Sequence, residues 1–190
     1  VAIWDEQNRL LPAGEIGEIM VRGRNVMQGY HHLPEETAKT ITNGWLHTGD
    51  LGKLDADGFV VITGRKKDLI ISAGENIYPR EIEEVLAQHP NIKEVAVIGV
   101  KDEVRGEVPK AFVIARENTT VDDRELRTFC REKLANYKIP KYFEIVADLP
   151  RTPTGKVLKR MLPTTAAAAA AVLSPSPTPA ARLSCAPCRW

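Results

Sequence analysis

The apolar positions of this chain change period at Gly64, and that switch limits what it can fold into. Up to Gly64 they alternate with polar residues. Ile16, Glu18, Ile19, Met20 and Val21 lie among glycines at 14, 17, 23 and 29, a pattern of short strands and tight turns between Gly14 and Tyr30. Pro34-Glu35-Glu36 places proline and acids where the first turn of a short helix wants them. Asn43-Gly44 turns the chain, and Leu51–Leu54 and Phe59–Thr63 flank Asp57-Gly58 as a hairpin. After Gly64 a helical period takes over. Pro79–His89 carries Ile82, Val85 and Leu86 on one face and Glu81, Glu83, Glu84 and Gln88 mostly on the other. Two runs rich in β-branched residues follow, Ile92–Val100 and Val108–Ala115, with Lys101–Glu107 as a polar connection. Asp122 heads a second helix with the stripe Leu126, Phe129, Cys130 and Leu134, and Tyr142–Val146 reads as a last strand. Residues 65–162 therefore predict a small α+β domain of about 100 residues, enough for one modest core.

From Pro163 onward, nine alanines and five prolines fall within 28 residues. That stretch has too few large apolar groups to offset the entropy of ordering it, so disorder is expected for 163–190. Its only charges are Arg182 and Arg189, which leaves 24 basic against 25 acidic residues in 1–162, a net of −1. A near-neutral globular part does not predict nucleic-acid binding. No run approaches the roughly 18 apolar residues that span a bilayer, and the start lacks the pattern of a signal peptide. A cytoplasmic location is the expectation, and Cys130, Cys185 and Cys188 form no disulfide framework. The absence of an initiator Met and the strand-like opening suggest that the chain begins inside a longer protein.

Three segments carry chemistry. Thr48-Gly49-Asp50 offers a carboxylate that can accept from two vicinal hydroxyls, such as those of ribose, although alone it reads as a capped turn. Gly64-Arg65-Lys66-Lys67-Asp68, followed by Ser72-Ala73-Gly74-Glu75-Asn76, combines a basic cluster with a bend. Pro150-Arg151-Thr152-Pro153-Thr154-Gly155-Lys156 would by itself pass for a proline-rich loop. Three other readings fail. Gly155-Lys156 lacks the upstream glycine and the Ser or Thr of a Walker loop. Asp55-Ala56-Asp57-Gly58 lacks the further ligands of a calcium loop. Cys185-Ala186-Pro187-Cys188 has no partner ligands for zinc, and no metal site is expected.

Together and in this order, the three segments resemble the adenylate-forming family of acyl-CoA synthetases, peptide-synthetase adenylation domains and luciferases, over about residues 14–162. The second segment looks more like the acyl-CoA ligases than the peptide synthetases. The resemblance implies that 1–63 end a large AMP-binding domain and that 64–162 form its mobile C-terminal lid. It further implies that Asp50 holds the ribose hydroxyls, Arg65 lies beside the nucleotide, Lys67 occupies the hinge position, Gly74 lines the pantetheine channel and Lys156 serves the first half-reaction. The implied substrates and cofactors are a carboxylic acid, a fatty acid being expected, with ATP, Mg2+ and CoA. No Ser/Thr/Gly-rich phosphate loop occurs in residues 1–47, so ATP-phosphate binding is expected to need a further N-terminal domain. The alternatives are a non-catalytic truncated module of the same fold and an adenylation domain of another branch of the family.

Overall fold

The computed structural model describes residues 1–165. Its first sheet is organised around one long strand, β4. Strands β1 (Ala2–Trp4), β2 (Gly17–Val21), β3 (Ile41–Thr42), β4 (Trp45–Leu54) and β5 (Val60–Arg65) pair antiparallel throughout. β2 runs along one edge of β4, while β3 and β5 share the other. The Asp57-Gly58 hairpin forms as expected, closed by Gly58 N–H to Asp55 O at 3.1 Å and Asp55 N–H to Phe59 O at 2.9 Å. Helix α1 covers Pro34–Thr40. Between Gly14 and Tyr30, however, one strand forms instead of several. The ladder of β2 on β4 ends at Val21 opposite Leu46, one residue from the start of β4, so residues 22–33 have no strand beside them.

Four residues, 66–69, connect β5 to the second sheet. Here β6 (Ile70–Ser72), β7 (Glu75–Ile77), β8 (Ile92–Asp102), β9 (Gly106–Ala115) and β10 (Tyr142–Ile145) surround β9, with β10 parallel to it and β8 and β6 antiparallel. Helices α2 (Pro79–Leu86) and α3 (Asp123–Arg131) pack on one face. Ile82, Leu86, Leu126 and Cys130 are fully buried there against Ala111, Val113 and Phe143. Asp122 caps α3, its Oδ1 accepting the Glu125 N–H at 2.7 Å. On the opposite face Phe112 and Ile114 meet Leu149 and Leu162. Burial on both faces explains why Ala111–Ile114 are continuously apolar rather than alternating. It also fixes where the Lys156 segment lies, because Leu149 before it and Leu162 after it are both pinned to the sheet.

Two expectations shift. The supposed polar connection is largely strand: Lys101 pairs with Glu107 and Asp102 with Gly106, leaving only residues 103–105 as the turn. Backbone ladders do not require apolar side chains, so polar composition hid the extension. The bend expected at Ser72-Ala73-Gly74 is the tip of the β6–β7 hairpin, whose buried Ile70 and Ile77 feed the helix-side core. From residue 166 onward the expectation of disorder, with Cys185 and Cys188, lies outside the described residues. Among the described residues no helix is long and apolar enough to cross a membrane.

Candidate functional site

Pairing of β4 with β5 sets Asp50 directly opposite Arg65, and their side chains form an ion pair, Arg65 Nε to Asp50 Oδ1 at 3.1 Å. The Thr48 hydroxyl fixes the approach to Asp50. It donates to Ile19 O at 2.7 Å and accepts the Asp50 N–H at 3.1 Å. Both groups of the ion pair keep exposed surface, so the carboxylate remains open to a second partner.

Lys156 stands on a tight hairpin. Thr152 N–H meets Lys156 O at 2.8 Å, Lys156 N–H meets the Thr152 hydroxyl at 3.1 Å, and Arg151 bridges to Val157 as a short antiparallel pair. Gly155 takes φ +85°, a conformation that a side chain resists, so the glycine before the lysine is required by the turn. Arg151 also pairs with Glu94 on β8, tying the hairpin to the sheet. The lysine itself is exposed.

Arg65, Lys67 and Lys156 line one cleft of about 570 Å³. Its walls carry Arg65, Lys67, Lys156, Lys159 and Arg160 against Asp68 and Glu107, an excess of positive charge suited to a polyanion. Lys159 is partly neutralised by Glu83 on α2, at 2.6 Å. Arg65 also lines a neighbouring cleft of about 300 Å³ with Asp50, Arg80, Glu83 and Lys159. Four of the five residues singled out by sequence, Asp50, Arg65, Lys67 and Lys156, thus lie along these two adjoining clefts. Gly74 does not. It sits at the β6–β7 tip with φ +87°, and the neighbouring Ala73 N–H is bonded to Arg105 O at 2.8 Å. The turn alone is enough to account for glycine there.

Sequence reading missed Glu18, Lys66 and His47. Glu18 is 7% exposed and accepts from Lys66 Nζ at 2.9 Å and Gly49 N–H at 3.1 Å, with His47 Nδ1 also at 3.1 Å. Burial pushes its carboxyl up, but the Lys66 ammonium and the His47 and Gly49 donors outweigh that and hold it below its ordinary value. In the sequence Glu18 looks like the polar member of an alternating strand. A bulge in β2 between Glu18 and Met20 removes that alternation, and only the paired structure displays it.

Among the described residues no group of three or more His, Cys, Asp or Glu side chains is placed to hold a metal ion. Mg2+ characteristically takes one or two carboxylates together with substrate phosphates, so this finding bears on an all-protein metal cage alone.

In sequence and fold the chain is similar to several known proteins. The AMP-binding enzyme C-terminal domain family matches residues 81–156. The long-chain-fatty-acid–CoA ligase of Bacillus subtilis (strain 168) is 50% identical over 162 residues, 85% of this chain and 29% of that protein. The B. subtilis o-succinylbenzoate CoA synthetase, solved with its acyl-adenylate intermediate, superposes with a TM-score of 0.79 at 42% identity, covering 85% of this chain and 33% of that one. ATP-bound MatB from Rhodopseudomonas palustris superposes at 0.80 and its apo form at 0.64, both at 42% identity over 84% of this chain and 32% of that one. The chain spans about a third of the length of the relatives it matches. With half its aligned residues shared with a CoA ligase and the matched fold around its cationic cleft, the chain belongs to the adenylate-forming, AMP-binding enzymes and carries their C-terminal domain.

Proposed function

We propose that the chain is the C-terminal part of an ATP-dependent acid–CoA ligase, in which residues 64–162 act as the lid and 1–63 complete a larger nucleotide-binding domain. The observation that carries this reading is the placement of Lys156, on a hydrogen-bonded hairpin, in the same cationic cleft as Arg65 and Lys67. A carboxylate is a poor electrophile. It is activated when its oxygen attacks the α-phosphorus of ATP and the bond to pyrophosphate breaks. The Lys156 ammonium stabilises the charge that builds on the α-phosphate, while Asp50 receives the ribose hydroxyls and Arg65 lies beside the nucleotide. In the second half-reaction the CoA sulfur attacks the acyl carbon and AMP leaves. Gly74 is assigned to the pantetheine channel, and Lys67, in the four-residue connection between the sheets, to the hinge. The better superposition on ATP-bound than on apo MatB supports assigning the present arrangement to the adenylation step. A fatty acid is the proposed substrate on the strength of the B. subtilis fatty-acid ligase, and a relative acting on o-succinylbenzoate matches as well.

The test separates the halves in the whole ligase. Lys156→Ala should slow pyrophosphate release on the order of 10²-fold, the scale of losing one preorganised stabilising group. Thioester formation from supplied acyl-AMP and CoA should be largely spared. Equal loss in both assays would sink the assignment.

A further inference from the structure

Glu18 touches both functional segments flanking the link between the sheets. Its Oε1 accepts the N–H of Gly49, the residue before Asp50, and its Oε2 accepts from Lys66, the residue before Lys67. Its side chain is 8% exposed, whereas that of Lys66 is 51% exposed, so a surface lysine reaches down onto a buried acid. One residue back, Arg65 holds Asp50. Consecutive residues 65 and 66 are thereby tied to the first sheet through separate acids, and both ties end where the connection to the second sheet begins. Lys67 has no such tie to the first sheet, and its side chain faces the large cleft.

We propose that Glu18 is a positioning residue whose hold on Lys66 restrains the connection between the sheets and so keeps the second sheet in the orientation seen here. The proposal rests on the reading of 64–162 as a lid that turns about Lys67. A buried carboxylate deprived of its ammonium partner keeps its desolvation cost with less to offset it, here the Gly49 N–H and His47, so the contact resists breaking. It acts as a clasp. Turning about Lys67 swings the residues beside it, so the motion must strain or break a charge-assisted bond to a buried acid.

Distance measurement between spin labels on the full 190-residue chain tests this without requiring turnover. Labels at Leu10→Cys, beside the first sheet, and Val104→Cys, at the β8–β9 tip, occupy positions 71% and 89% exposed. Cys185→Ser and Cys188→Ser remove competing thiols, and the buried Cys130, its thiol pushed up to about 11, stays unreactive at neutral pH. The otherwise unmodified sequence should give one narrow distance. Glu18→Gln and, independently, Lys66→Met should each add a second, resolved distance, and Lys66→Arg should restore the single one. Lys66→Met alters a half-exposed side chain and so probes the clasp without disturbing the core. A Glu18→Gln chain indistinguishable from the parent overturns the proposal. If Arg65→Gln broadens the distribution while Glu18→Gln does not, the clasp fails and the lid survives. If even Glu18→Gln with Arg65→Gln leaves one narrow distance, the two sheets form a rigid body, and the reading of a turning lid fails with it.

Discussion

The carboxyl of Glu18 is held below its ordinary value of 4.5, and the sign of that shift makes a prediction. A folded value below the unfolded one means that the unfolded chain takes up the proton first as pH falls. The stabilisation is therefore complete above about pH 4.5 and drains away as pH drops through the folded value. Asp5 and Asp102 are also lowered, Asp5 mainly by the Arg9 backbone N–H and Asp102 mainly by the Lys141 ammonium, and both contribute slope of the same sign. The informative quantity is therefore a difference. Thermal unfolding followed from pH 5 to pH 3 should fall less steeply for Glu18→Gln than for the parent chain. Parallel slopes would mean that Glu18 keeps an unshifted carboxyl. At this scale the sequence displayed Asp50, Arg65, Lys67 and Lys156 through their motifs. It hid Glu18, because a bulge and two partners 31 and 48 residues away make that side chain special.

Helix α3 shows what a single element contributes. Its start is set by Asp122, and its stripe places Leu126 and Cys130 in the core beside Val113 and Phe143. Asp122→Ala should cost about 1 kcal/mol by leaving the Glu125 N–H unsatisfied, whereas Leu126→Ala should cost about 2–5 kcal/mol through lost transfer and a residual cavity. Chemical denaturation of the two variants ranks them, and a cap substitution costing as much as the core one would contradict this picture. Both features were legible in sequence, because a cap and a helical stripe are local. The helix ends at Arg131, however, so Leu134 fills the same core from beyond it. Strands β6 and β7 were not legible at all. Three residues each are too few to show a period, and they exist because Ser72 pairs with Gly106 and because Ile70 and Ile77 complete a core built largely by distant segments.

For the whole molecule the consequence is incompleteness of chemistry rather than of fold. The chain presents Lys156, Arg65 and Lys67 to one cleft, yet residues 1–47 contain no Ser/Thr/Gly-rich phosphate loop to orient a triphosphate. Positioning supplies much of the acceleration of phosphoryl and nucleotidyl transfer, so charge alone in an open cleft should not suffice. The purified 190-residue chain, given ATP and a range of acids, is expected to form no acyl-AMP above background. Detectable acyl-AMP would show that the described cleft is a sufficient site.

The sequence by itself determined whatever is written in neighbouring residues: the α+β class after Gly64, the capped and amphipathic helices, the hairpin at Asp57-Gly58, and three ordered motifs specific enough to indicate the family. Tertiary structure alone decided which of those motifs meet. Arg65 and Lys156, 91 positions apart, share a cleft because burial on both faces of β9 pins the segment carrying Lys156 between Leu149 and Leu162. It also decided that a strand glutamate clasps the link between the sheets, since register, bulges and long-range ion pairs depend on which strands lie side by side, and no local pattern of residues encodes that.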